Sequence, residues 1–147
     1  MPHDAGMSTT TTSAPSAVVS ATIDRFLAAV AAGSIPPDIY ATDVVVDATV
    51  PGWRFHIRGP EAVAAEYGRW FADPGEFAEL RRRPFAGGEA VEYLLTWQED
   101  GVDHAAHHVH LVDVDPASGL IVADTVSCGG RWGAELLAQM RAADDNG

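Results

Sequence analysis

The sequence predicts one α+β domain in which helices lie on one face of a strongly bent antiparallel sheet. Two apolar stripes at helical spacing lie in the first half of the chain. Strand-like segments separated by turn residues fill most of the second half. The length of 147 residues is enough for one domain with its own core. Helices and strands grouped in this way are typical of an α+β layer fold.

The first half of the chain predicts two helices and a pair of strands. The first helix ends at Gly33, and a β-branched strand over 44–50 closes at a Pro-Gly turn. Residues 53–58 alternate apolar and polar side chains as a half-buried strand does, and Gly59-Pro60 begins the second helix. The two helical stripes are Val19, Ile23, Phe26, Leu27 and Val30, then Val63, Tyr67, Trp70 and Phe71.

The second half predicts a four-stranded antiparallel meander followed by a helix. The strands cover about residues 77–85, 90–99, 102–115 and 120–128, and turn residues separate them. The final helix is amphipathic, with an apolar side formed by Trp132, Leu136, Leu137 and Met140.

The ends of the chain differ in composition from its middle. Residues 1–16 are low in complexity and poor in apolar groups, so we expect a disordered N-terminal tail, a domain over 17–143 and a disordered end over 144–147. No secretory signal pattern is present, and no apolar run approaches the ~18–20 residues of a membrane span. These features predict a cytoplasmic protein without a membrane partner.

Composition argues against several functional classes. The net charge is −12, and all nine Lys and Arg residues are arginine. The clustered positive charge that nucleic-acid binding needs is therefore missing. The run Arg81-Arg82-Arg83 is expected at a solvated edge. The single cysteine, Cys128, rules out an internal disulfide, and it is expected to be a small buried residue because no base lies near it in the sequence. No cofactor-binding motif is present, so no cofactor is predicted.

The run His104-Ala-Ala-His107-His108-Val-His110 is the main candidate for chemistry. On a strand, His104, His108 and His110 share one face, and His107 takes the other. Imidazole transfers protons near neutral pH, so an inward pair predicts acid–base chemistry, whereas an outward pair predicts solvated side chains. His-x-His is also a zinc-ligand spacing, but a third ligand is not evident, so no metal is predicted.

The order of elements, together with Tyr40-Ala-Thr-Asp43-Val-Val-Val-Asp47 and Gly59-Pro-Glu-Ala-Val, resembles the nuclear transport factor 2-like superfamily. The SnoaL-like branch, which includes ketosteroid isomerase, scytalone dehydratase and polyketide cyclases, is the most similar. The resemblance covers about residues 18–130. It implies a cone-shaped fold with helices packed on the concave face of the sheet, a hydrophobic pocket and a homodimer formed through the outer face.

Alignment with ketosteroid isomerase indicates a similar fold but not the same catalytic groups. The oxyanion-hole tyrosine of that enzyme aligns with Phe26, its general base with Ala48 and its second carboxylic acid with His110. Two of the three functional groups are therefore absent, and steroid isomerisation by that mechanism is not expected.

The same alignment implies which side chains face the cavity. His110 is the candidate acid–base group, His108 its modulator and Tyr93 a hydrogen-bond donor. Asp47 is a second catalytic candidate, although its side chain is expected to point away from the cavity. The predicted substrate-binding residues are Phe26, Val46, Ala48, Trp53, Leu95, Trp97, Val112, Ala123, Thr125 and Ser127.

Two functions remain open at the level of sequence. The first is a cofactor-independent acid–base enzyme (an isomerase, cyclase or dehydratase) that acts on a small apolar, oxygenated molecule. The second is a non-catalytic ligand-binding or dimeric assembly module of the same fold.

Overall fold

The computed structural model describes the backbone of residues 4–146 and the side chains of residues 17–146. Residues 1–3 and 147, which belong to the two predicted disordered ends, lie outside the described residues. Helix α1 spans Asp4–Ala32 and helix α3 spans Ala134–Asn146, so both cross the limits at residues 17 and 143 that we expected for the domain. The division into tails and domain stays a prediction.

The predicted helices and strands are present, with ends that differ by a few residues. A short 3-10 turn, Pro37–Ile39, follows α1. The remaining elements are β1 (Tyr40–Val50), β2 (Trp53–Arg58), α2 (Pro60–Trp70), β3 (Glu76–Phe85), β4 (Gly88–Glu99), β5 (Val102–Val114), β6 (Ile121–Cys128) and β7 (Trp132–Gly133). The prediction that Trp132 belongs to the last helix is wrong, because it pairs with Ala105 of β5 as a strand residue.

The strands form one sheet in the order β2-β1-β6-β5-β4-β3, and β7 pairs with β5. The predicted meander from β3 to β6 is confirmed as a run of antiparallel neighbours.

The sheet is mixed and not purely antiparallel, because β1 pairs with β6 in parallel. Parallel strands need a crossover connection, usually a helix. Helix α2 provides it: β3 runs in the same direction as β2, and the alternation that follows makes β6 parallel to β1.

The hydrophobic core lies between the inner face of the sheet and helices α1 and α2. Phe26 of α1 and Tyr67 of α2 are fully buried in it, as are Val46 and Ala48 of β1. The other three predicted pocket residues in this core are Val112 of β5 and Leu95 and Trp97 of β4. Helix α3 has no buried residue. No described helix has the length and apolar character needed to cross a membrane.

Arg82 departs from the expectation that its run of arginines is solvated. Its guanidinium donates to the buried Glu89 at 2.9 and 3.1 Å, to the Ser20 carbonyl at 3.2 Å, and to Asp24. Glu89 is only 3% exposed, so it needs this partner. The ion pairs tie α1 to the β3–β4 hairpin, whereas the flanking Arg81 is exposed.

Candidate functional site

Three neighbouring strands bring a tyrosine, two histidines and a cysteine together. Tyr93 on β4 is opposite His108 on β5, and His108 is opposite Cys128 on β6. His110 is on the same face as His108, two residues further along β5. Pairing of these three strands therefore assembles groups that are well separated in the sequence.

A continuous chain of hydrogen bonds, which we call the relay, joins these groups to Asp124 of β6. His110 Nδ1 lies 3.0 and 2.9 Å from the two carboxylate oxygens of Asp124. The Tyr93 hydroxyl lies 2.9 Å from His110 Nε2 and 2.9 Å from His108 Nδ1. His108 Nε2 in turn lies 3.2 Å from the Cys128 sulfur.

The Asp124 carboxylate accepts and cannot donate, so His110 donates to it from Nδ1. With a proton on that ring nitrogen only, His110 accepts the Tyr93 hydroxyl proton at Nε2. The Tyr93 oxygen then accepts from His108 Nδ1. This leaves His108 Nε2 as the acceptor at the other end, where the Cys128 thiol donates to it.

The inner end of the relay is enclosed by aromatic rings. His110 is fully buried and Asp124 is 1% exposed. The Tyr67 hydroxyl donates to Asp124 Oδ2 at 2.5 Å, so the buried carboxylate has two donors. The Phe26 ring packs edge-on against His110, with centroids 5.1 Å apart, and Tyr67 does the same at 6.2 Å. This packing holds the imidazole in one orientation.

Burial keeps the outer end of the relay uncharged. Desolvation, with smaller contributions from His110 and His107, lowers the pKa of His108 to about 3. Desolvation also raises the pKa of the Cys128 thiol, although the Gly130 N–H, at 3.3 Å from the sulfur, opposes this. At neutral pH the pair is therefore a neutral imidazole and a thiol, and not the thiolate–imidazolium pair that an activated cysteine nucleophile needs.

A pocket of about 370 Å³ opens at the outer end of the relay. His108 and Cys128 form part of its wall, whereas Tyr93 and His110 lie behind it. The other lining residues are Val50, Pro51, Glu66, Arg69, Trp70, Phe71, Leu95, Trp97, Ala106, Gly130 and Arg131. An apolar pocket with a few convergent polar groups is the usual form of a small-molecule site.

A second, larger groove of about 650 Å³ lies between β3, β4, β5 and α3. It contains His104, whose Nδ1 lies 3.0 Å from the Val102 carbonyl oxygen. No member of the relay reaches this groove, so the smaller pocket is the better candidate for chemistry. Within the described residues, no group of three or more His, Cys, Asp or Glu side chains is arranged to hold a metal ion.

No family model and no curated protein sequence matches this chain. Solved structures do match. A proposed isomerase from Bacillus subtilis is 13% identical with a TM-score of 0.63, over 78% of this chain and 88% of its own. An NTF2-like protein of unknown function from Mesorhizobium loti is 18% identical with a TM-score of 0.58, over 88% of this chain and 98% of its own.

A third structure, a proposed ketosteroid isomerase from Parabacteroides distasonis, is 15% identical with a TM-score of 0.51, over 71% of this chain and 83% of its own. The chain has the nuclear transport factor 2-like fold. This confirms the α+β class that the sequence predicted. At these identities the likeness concerns the fold alone.

Within this NTF2-like fold, the predicted inward face of β4 and β5 is present. Tyr93, His108 and His110 are in contact with one another, and Leu95 and Trp97 line the pocket. Four of the predicted substrate-binding residues lie in the core and not at the pocket wall: Phe26, Val46, Ala48 and Val112.

The predicted direction of β6 is wrong. Ala123 is only half-buried, and Thr125 and Ser127 are exposed, while Asp124 and Val126 are buried. Side chains alternate along a strand, so an error of one residue reverses every direction.

Trp53 and Asp47 do not reach the pocket. Trp53 is 69% exposed on β2 and belongs neither to the pocket nor to the core. Asp47 pairs with Arg54 through two hydrogen bonds of 2.9 and 2.6 Å, and these lower the pKa of its carboxyl. Asp47 therefore points away from the cavity, as expected, and has a structural partner that argues against its role as a second catalytic candidate.

Two residues of the relay were missed. Asp124 was not recognised, because the alignment with ketosteroid isomerase placed its neighbours Ala123 and Thr125 on the inner face of β6. Cys128 was expected to be buried without a base nearby, but it is half-buried and its base comes from another strand. The apolar Val126 and Cys128, which alternate with Thr125 and Ser127, were the available signal for the correct direction.

Proposed function

We propose that this protein is an isomerase that needs no cofactor and moves a proton within one small, mostly apolar, oxygenated substrate. The observation that carries the proposal is the position of His108, which belongs both to the pocket wall and to the relay. His108 Nε2, which accepts from the Cys128 thiol, is the last nitrogen of the relay that begins at Asp124. The isomerase descriptions of the Bacillus subtilis and Parabacteroides distasonis structures agree with this reaction class.

The relay balances the proton at every step. The Cys128 thiol turns away from His108 Nε2, which then takes a proton from the substrate, and the Nδ1 proton of His108 passes to the Tyr93 oxygen. The Tyr93 hydroxyl proton passes to His110 Nε2, which makes His110 an imidazolium beside the Asp124 carboxylate. The reverse sequence returns a proton from His108 Nε2 to a different atom of the substrate, which completes an isomerisation.

The relay compensates for the weakness of His108 as a base. An imidazole with a pKa of about 3 holds a proton poorly at neutral pH. In the proposed mechanism the positive charge does not remain on His108, since it moves to an ion pair with Asp124 inside the core. His108 is therefore the proposed catalytic residue, and Tyr93, His110 and Asp124 carry the proton behind it. This assignment exchanges the roles that the sequence suggested for His108 and His110.

The pocket sets the size of the substrate. Its volume of about 370 Å³ lies at the lower end of the range of about 300–1,000 Å³ found for small-molecule sites. Phe71, Leu95, Trp97 and Ala106 provide apolar walls. A substrate with one or two rings and a carbonyl group that activates an adjacent C–H bond fits both the volume and the chemistry.

The test is proton exchange in D2O, with a panel of small aryl and cyclic ketones followed by NMR. The wild-type protein is expected to speed deuterium entry next to the carbonyl of at least one ketone. The variant His108→Gln is expected to lose this acceleration by about a hundredfold or more, which is the usual contribution of a positioned acid–base group. Thr125→Val is the matched control, because Thr125 is exposed on the outer face of β6.

Two results would contradict the proposal. One is exchange that His108→Gln leaves unchanged while its thermal unfolding stays cooperative. The other is binding of a ketone, seen in the tryptophan fluorescence, without exchange by the wild-type protein. The second result would favour the ligand-binding module.

A further inference from the structure

Two clusters of the same composition, each a glutamate, a tryptophan and an arginine, contribute side chains to the lining of the pocket. The first lies on α2, where Glu66 accepts the indole N–H of Trp70 at 3.0 Å and also accepts from the Arg69 guanidinium. Glu66 therefore holds a tryptophan and an arginine side by side. All three residues line the pocket, and the Arg69 side chain is 69% exposed.

The second cluster combines β4 with the segment after β6. Glu99 accepts the indole N–H of Trp97 at 2.7 Å and also accepts from the Arg131 guanidinium. Arg131 lies over the Trp97 ring, 5.3 Å from its centroid, an arrangement that favours a fixed guanidinium. Its side chain is 56% exposed and lines the same pocket.

Each of these guanidiniums has N–H donors beyond those that its glutamate accepts. Arginine has five N–H donors in a planar fork that matches a carboxylate. Within residues 17–146, Arg69 and Arg131 each donate one side-chain hydrogen bond, to the glutamate of its own cluster. The remaining donors of both side chains are available to a ligand in the pocket.

The interior of the pocket cannot hold an anion, because it offers a neutral imidazole, a thiol and apolar walls. An unpaired charge buried there would cost several kcal/mol. The chain as a whole carries a net charge of −12 and repels anions. Arg69 and Arg131 are the positively charged residues of the pocket lining, and each has donors beyond its glutamate, so a carboxylate is favoured beside these guanidiniums.

We propose that the substrate carries a carboxylate at one end, which Arg69 and Arg131 hold, while its apolar remainder extends inward to His108. This inference rests on the proposed function for the reacting end. The recognition of the carboxylate is a binding property, and it is measured separately from proton exchange.

The test compares phenylacetate with phenylacetamide, which has nearly the same shape and no charge. Trp70 and Trp97 line the pocket, so intrinsic fluorescence reports binding. The wild-type protein is expected to bind phenylacetate at least about tenfold more tightly than the amide, a preference that decreases as salt is added. Arg69→Gln and Arg131→Gln each reduce the preference, and the double variant abolishes it.

Arg141→Gln is the matched control, because Arg141 lines the other groove and its loss removes the same charge. It is expected to keep the full preference. Equal binding of the two probes, no phenylacetate binding at about 10 mM, or a preference that survives in the double variant would each overturn the inference. Proton exchange that depends on His108, measured with neutral ketones, would stand in any of these cases, so failure of the inference and failure of the proposed function are distinguishable.

Discussion

Lowering the pH should destabilise this protein through His108, and the size of the effect follows from its burial. The pKa of His108 is about 3 in the folded protein, against about 6.5 for an unperturbed histidine. Between these two values the unfolded chain binds a proton at this position and the folded chain does not, so stability falls as the pH falls. Each pH unit below about 6.5 costs about 1.4 kcal/mol, which gives a loss of about 2 kcal/mol between about pH 8 and about pH 5.

Urea unfolding of wild type and His108→Gln at both pH values measures this contribution. The variant is expected to be less stable at both, because it loses buried contacts, but its decline with pH should be about 2 kcal/mol smaller. His56→Gln is the control, since its side chain is 45% exposed on β2 and lies outside the relay. If the wild type and His108→Gln decline equally, the neutral buried state of His108 is refuted.

Three further substitutions test separate parts of the network. Tyr93→Phe should slow proton exchange by about a hundredfold and leave ligand binding intact, because it interrupts the relay behind the pocket; a normal exchange rate would contradict this. Tyr67→Phe should lower the free energy of unfolding by about 1.5–3 kcal/mol, because the charged Asp124 carboxylate loses the hydrogen bond that the Tyr67 hydroxyl donates to it. Arg82→Ala should cost about 3–5 kcal/mol in urea unfolding, because it leaves Glu89 buried and unpaired.

The limits of the strands could be predicted because turn residues lie between them in the sequence. Pro51-Gly52 and Asp100-Gly101 lie between strands, and both glycines have positive φ angles, of 73° and 78°. The alternation of β5 placed His108 and His110 on one inward face, and both are buried there.

The surroundings of each histidine were not predictable from the alternation of side chains along the strand. Alternation determines which face of the sheet a side chain takes, but it does not determine whether a pocket or a helix covers that side chain. Phe26 and Tyr67 come from two helices and cover His110, which leaves His108 at the pocket wall. Only the packing of α1 and α2 on the sheet decides this.

The prediction of which β6 side chains face inward failed for a different reason. Asp124 is polar and inward because Tyr67 and His110 satisfy its carboxylate, and neither partner is near it in the sequence. The alignment with ketosteroid isomerase was one residue out of register on β6, so it placed Thr125 and Ser127 on the inner face and Asp124 on the outer face. The homodimer and the cytoplasmic location stay predictions.

Nitrogen NMR of the histidine side chains observes the relay itself. His108 is expected to be neutral between about pH 8 and about pH 5, with a proton on Nδ1 and none on Nε2. The substitution Asp124→Asn is expected to disturb the His108 signals through Tyr93 and His110, although Asp124 does not contact that ring. A His108 that titrates near about 6.5, or that carries its proton on Nε2, would contradict the relay and the isomerase proposal built on it.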